Sequence, residues 1–168
     1  MEWTVINTDM GWVSIVSSER GLSHISVPYN SPQESLESLG KVMKDAKFSL
    51  NRFGDLPQRL KAYFSGYRIS FTDALDFSDA TNFQREVWQE ARRIPYGETR
   101  SYAWLADRVG QSKAWRAVGQ ALAKNRLPII IPCHRVISSN CNLGGFSGGL
   151  DMKKRLLQLE VTAISPKS

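Results

Sequence analysis

The residues of this 168-residue chain that could do chemistry are concentrated in one stretch, Pro128-Ile129-Ile130-Ile131-Pro132-Cys133-His134-Arg135-Val136. Three consecutive isoleucines between two prolines belong in a core, and they deliver a thiol, an imidazole and a guanidinium directly afterwards. The prolines fix φ and stiffen the approach to Cys133. A thiol beside cationic side chains is shifted toward thiolate, the nucleophilic form. The competing reading of Cys133 is a small buried hydrophobe, the usual role of a free cysteine. Glu160 is a second oddity: it ends the last helical segment, where the helix dipole disfavours a carboxylate. It should therefore find a partner elsewhere in the fold.

Other chemistries find little support. Cys133 and Cys141 are too few for a disulfide framework or a four-cysteine zinc site. His24 lies in a strand pattern with no metal-binding neighbour and reads as structural or surface. The glycine-rich stretch Ser138–Leu150 lacks the Lys-Ser/Thr ending of a phosphate loop. No apolar run of about 18 residues is present, so no membrane span is expected. Met1-Glu2-Trp3-Thr4 does not open a signal peptide. A reactive thiol points to a reducing compartment.

The elements that must position these residues fall into two parts. In the first, Thr4–Thr8, Trp12–Val16 and Leu22–Val27 are β-rich runs separated by glycine-containing turns, which predicts a three-stranded antiparallel meander. Ser31-Pro32 reads as an N-cap with proline at the first helical position, opening a helix that carries Leu36, Leu39, Val42 and Met43. Leu56–Phe64 is a second helix, ended by Gly66. We place this α/β domain at residues 1–75 and an acidic linker at 76–81.

The second part, residues 82–168, opens on a capping box, Thr81 with Gln84 three residues on. That helix runs to about Ile94 and stops at Pro95-Tyr96-Gly97. Ser101 caps a short helix from Tyr102 to about Val109, and Gly110 turns the chain. Ser112 caps the next, Lys113 to about Lys124. Two short helices joined by a glycine-containing turn make a helix-turn-helix pattern. The second is rich in Ala and Gly, with Arg116 as its long cationic side chain near the start. Such a helix can approach another surface closely without reading much base sequence. A last helix spans Asp151 to about Leu159. Charge follows the same division. Residues 1–80 carry 8 Lys/Arg against 10 Asp/Glu, and residues 81–168 carry 14 against 6. A net +8 on one half suggests that it meets a polyanion.

Pro132-Cys133-His134-Arg135-Val136 resembles the active-site signature of the O6-alkylguanine-DNA alkyltransferases. Phe83–Trp88, Ile94–Thr99, Arg116–Leu122 and the spacing from Asn125 through Cys133 to Glu160 fit the same family. The resemblance is strong over residues 81–160 and architectural over 1–80. It implies a ribonuclease H-like N-terminal α/β domain followed by a mostly helical, winged helix-turn-helix-like domain. It also implies a suicidal repair protein that takes an alkyl group from O6-alkylguanine in double-stranded DNA, with O4-alkylthymine left open as a substrate.

On that resemblance Cys133 is the nucleophile, His134 a base acting through water, Glu160 the residue that orients His134, and Asn125 a member of their network. Arg116 replaces the flipped nucleotide in the stack. Tyr102 crowds the phosphate and can protonate guanine N3. Val136, Phe146 and Ser147 face the base, while Gln84 and Ser139 belong to the DNA- or base-binding set. Phe146 stands where the family commonly has Tyr, which puts substrate range in doubt. No metal and no cofactor are implied: the cysteines of the zinc site that some relatives carry are missing. The expected protein is a monomer, cooperative binding along DNA being left open, in the cytoplasm with the nucleoid or in a eukaryotic nucleus. Three alternatives stay open: a non-transferring lesion-binding protein, a cysteine hydrolase built on Cys133, His134 and Glu160, and a transcription regulator.

Overall fold

Alternating and near-continuous apolar runs at the N-terminus form a sheet. In the computed structural model, which describes residues 1–138, 144–146 and 148–163, β1 (Glu2–Thr8) pairs antiparallel with β2 (Gly11–Ser18). β2 in turn pairs antiparallel with β3 (Gly21–Ile25). The β1–β2 turn needs Gly11: its φ is 131°, and a Cβ there would sit 2.6 Å from the Tyr29 carbonyl oxygen. β2 lies between β1 and β3, and Val13, Ile15 and Val16 on it are fully buried.

The sheet is larger than the sequence indicated. A two-residue strand, β4 (Lys47–Phe48), pairs parallel with β1, giving the order β3-β2-β1-β4. Two residues are too few to show alternation, and β4 is held by backbone bonds from Lys47 N to Met1 O and from Ser49 N to Trp3 O. The first helix is shorter than expected. Ser31 caps α1 (Pro32–Glu37) by accepting from Glu34 N. The helix ends at Glu37, and at Gly40, φ 66°, the chain enters a 3-10 turn, Gly40–Asp45. Leu36, Leu39, Val42 and Met43 therefore share no single helical stripe, and none is fully buried. α2 (Leu56–Phe64) buries Leu56, Leu60, Tyr63 and Phe64.

Residues Met1–Asp76 and Phe77–Thr162 form two compact units. The second is helical. α3 (Asn82–Arg92) carries both halves of its capping box, Gln84 N to Thr81 Oγ1 and Thr81 N to Gln84 Oε1, each 3.1 Å. A two-residue strand β5 (Arg100–Ser101) runs into α4 (Tyr102–Arg108), which Ser101 caps at Trp104 N. Gly110, φ 76°, turns the chain into α5 (Trp115–Ala123). α5 starts two residues later than the sequence suggested. Ala114 N donates to Gln111 O at 2.8 Å, so Ser112 lies within a turn and no side chain caps the helix. Trp88 ties α3 to α5 through Nε1 to Ala121 O, 2.8 Å.

After α5 the chain passes through Leu127, Ile129, Ile130 and Ile131, all buried. Ile129 has φ 75°. A β-branched residue in the left-handed region costs about 1–3 kcal/mol, which the packing around it must sustain. A one-turn 3-10 helix, Cys133–Arg135, follows, then β6 (Val136–Ile137), parallel to β5, and finally α6 (Leu150–Val161).

Candidate active site

The 3-10 turn fans three successive side chains in different directions. Cys133 is 6% exposed and forms the floor of a cavity of about 640 Å³. The walls come from Tyr102 at the start of α4, from Trp115, Arg116 and Gly119 of α5, and from Gly145 and Phe146 of the glycine-rich loop. His134 turns away into the protein and is completely buried. Its Nε2 lies 2.5 Å from Glu160 Oε2. Arg135 also meets Glu160, through Nε to Oε1 at 2.8 Å and Nη2 to Oε2 at 3.1 Å. Its remaining arm donates to Ile94 O at 2.8 Å. Gly97 N adds a bond to Glu160 Oε1 at 3.1 Å.

The misplaced carboxylate at the end of α6 thus has its partners. Burial opposes the charge on Glu160, but the bonds from His134 and Arg135 outweigh it and hold the carboxyl well below its usual range. An ionised carboxylate only accepts, so Nε2 of His134 carries the proton. Burial pushes the imidazole below its usual value despite Glu160. The ring is then neutral near pH 7, with its lone pair on Nδ1.

Two expectations about the thiol are corrected. Arg135 does not polarise Cys133, because its guanidinium is committed to Glu160 and Ile94. Nor is the resting thiol shifted toward thiolate. Burial pushes Cys133 up, and Asn125 and the charge of Lys153 offset that only in part. Burial therefore favours the neutral thiol at Cys133.

Asn125 is buried and braces the approach, donating from Nδ2 to Ile131 O at 3.0 Å and accepting from Leu127 N at 2.8 Å. Tyr102 is 3.5 Å from Gly145 O, and burial raises its hydroxyl, which stays protonated and able to donate. Arg116 is exposed at the cavity rim. Phe146 is a wall. Val136 differs from expectation: its carbonyl already accepts from Lys153, leaving one lone pair for a base. Gln84 is part of the α3 cap rather than the cavity. Ser139 and Ser147, with Cys141, lie outside the described residues. Among the described residues no cluster of three or more His, Cys, Asp or Glu could hold a metal ion.

The sequence reading missed Lys153. This side chain is fully buried and donates to Val136 O at 2.7 Å and Gly145 O at 3.0 Å, joining the strand after Cys133 to the glycine-rich loop. Its Nζ lies 5.8 Å from the Tyr102 ring centroid. Burial lowers its pKa to about 8, the Cys133 thiolate acting the other way. The signal was present: Lys153, Leu156 and Glu160 are the buried residues of α6, spaced i, i+3, i+7 on one face. Two of the three are ionisable, which is uncommon on the buried side of a helix.

A buried thiol at the end of an apolar cavity, backed by a neutral imidazole and an ion pair, suits displacement at carbon. Residues 82–162 match the family model described as the 6-O-methylguanine DNA methyltransferase DNA-binding domain. The chain is 39% identical over 160 residues to a methylated-DNA–protein-cysteine methyltransferase of Methanosarcina barkeri, covering 95% of this chain and 97% of that one. It is 38% identical to the constitutive protein of that name from Bacillus subtilis, covering 94% of each. A crystal structure of Mycobacterium tuberculosis OGT in complex with DNA superposes with a TM-score of 0.81 at 32% identity, over 96% of this chain and 93% of that one.

Proposed function

The chain belongs to the methylated-DNA–protein-cysteine methyltransferases, which repair DNA by direct reversal, moving an alkyl group onto a cysteine of their own, and we propose that Cys133 is the acceptor and O6-alkylguanine in duplex DNA the donor. The observation that carries this reading is the position of the thiol. It lies at the end of a cavity rimmed by a cationic, small-residue helix and backed by the His134–Glu160 pair.

A modified base inside a duplex cannot reach a recessed sulfur, so the nucleotide must rotate out of the stack. α5 approaches the minor groove, and Arg116 fills the gap. Tyr102 crowds the phosphate and helps the rotation. The base enters with its exocyclic amine toward the carbonyls of Cys133 and Val136, and with O6 toward the backbone at Phe146. His134 takes the thiol proton through a water. The sulfur then attacks the alkyl carbon, forming the S–C bond as the C–O6 bond breaks. Guanine leaves with the electron pair, and Tyr102 supplies a proton at N3 to neutralise it. Glu160 and Arg135 hold the imidazole in the required tautomer. The thioether has no hydrolytic route back, so each molecule acts once.

The protein would act as a monomer, wherever chromosomal DNA lies. Incubation with a duplex bearing one O6-methylguanine should add a single methyl group to the Cys133 peptide, one per chain, read by intact and peptide mass. Cys133→Ala should abolish transfer and keep DNA binding. Repeated turnover, or alkylation of Cys141 instead, contradicts the assignment.

A further inference from the structure

Trp115 forms part of the cavity wall but takes no part in the alkyl transfer described above. It is the first residue of α5, is 48% exposed, and is the only tryptophan of the five in the exposed class. Its indole lines the same cavity as Cys133. The guanidinium of Arg116 lies over its ring, 5.0 Å from the centroid. A large aromatic left open at the rim of a reaction cavity is a surface awaiting a partner. A guanidinium laid on an indole holds two flat groups together as one unit.

We propose that Trp115 is a stacking residue for duplex DNA: its indole packs against a base next to the gap that Arg116 fills, so that the two side chains enter as a single wedge. The proposal rests on the nucleotide-flipping reading given above. Three observations favour a base of the duplex over the base entering the cavity. The indole is 48% exposed, whereas Cys133 is 6% exposed. It is linked to the side chain that enters the stack. It opens a helix whose next turn is small, with Ala117 and Gly119, so that the N-terminal end of α5 is its bulkiest point of approach. Every base has a π-face, so this contact adds affinity and drives base rotation without demanding sequence.

The test compares two donors on the full-length protein. One is a duplex with a single O6-methylguanine, and the other is the free base O6-benzylguanine, which needs no flipping. Trp115→Ala should slow transfer from duplex about 5- to 100-fold, the range expected for losing one aromatic–base stack. The loss on duplex should exceed any loss on free base by about fivefold or more. Trp115→Phe should restore most of the duplex rate. In the duplex, 2-aminopurine beside the lesion should brighten less on binding of Cys133→Ala/Trp115→Ala than of Cys133→Ala.

Equal losses on both donors would overturn the proposal, since a cavity wall or a folding defect acts on both. A larger loss on the free base would assign the indole to the benzyl group and overturn it too. No loss on either donor would leave the exposed ring without a role in repair. If the wild-type protein transfers from neither donor, the proposed function fails, whatever Trp115 does.

Discussion

At the scale of single residues, the site turns on where charge is allowed to be buried. Glu160 is ionised because Arg135 and His134 meet it, and His134 stays neutral because burial disfavours its charged form, with a smaller contribution from the charge of Arg135. The charge of Lys153 favours the Cys133 thiolate, and its ammonium is bonded to the Val136 and Gly145 carbonyls. Lys153→Met should therefore slow transfer near pH 7. Each unit by which the thiol's pKa rises lowers the thiolate fraction about tenfold. In the wild type Lys153 itself loses its charge above about pH 8. The difference between wild type and variant should then narrow from about pH 8 upward, measured as single-turnover rates across the pH range. A difference that does not change with pH would make Lys153 a purely structural brace.

At the scale of elements, helix α5 is built to approach closely, and two glycines near Tyr102 separate stability from geometry. A Cβ on Gly119 would meet the Tyr102 ring at 3.8 Å, an ordinary contact. Gly119→Ala should therefore stabilise α5 by about 0.8–1 kcal/mol, read from the denaturation midpoint. A Cβ on Gly144 would sit 2.6 Å from the Tyr102 hydroxyl, at a φ of 70°. Gly144→Ala should displace that hydroxyl and reduce transfer from DNA while adding no stability.

Most helices were legible in the sequence because their signals are local: Thr81 with Gln84, Ser101, Gly110 and the apolar spacing of α2 and α3. β4 was not, because two residues carry no period and only the backbone of β1 recruits them. The start of α5 was misread because Ser112 offers a good cap, yet the Gln111–Ala114 turn takes that segment first. Cys133, His134 and Glu160 stand out by type and place. Lys153 did not, since a lysine in the first turn of a helix reads as solvated until its two carbonyl partners are seen.

At the scale of the molecule, the chain sets an α/β unit before a helical unit that carries the positive excess, although Arg135 and Lys153 are buried and unavailable to phosphates. The buried ion cluster also ties stability to pH. Glu160 has its pKa depressed by folding, so its contribution is full above the usual carboxylate range, about 4.3, and is lost as pH falls toward the folded value. Removing one partner of a buried ion pair costs about 3–5 kcal/mol. Glu160→Gln should accordingly lower the melting temperature at neutral pH. It should also flatten its fall below about pH 4 relative to wild type, followed by circular dichroism.

Ile129 has a further consequence. A side chain of its shape keeps a left-handed backbone only while the core that buries it, with Leu127, Ile130 and Ile131, stays packed. If that packing loosens, residue 129 can relax to an ordinary φ and draw the neighbouring sulfur out of line. Mild denaturant should then silence alkyl transfer at concentrations where the helices are still intact. Such a protein fails first as a reagent and only later as a fold.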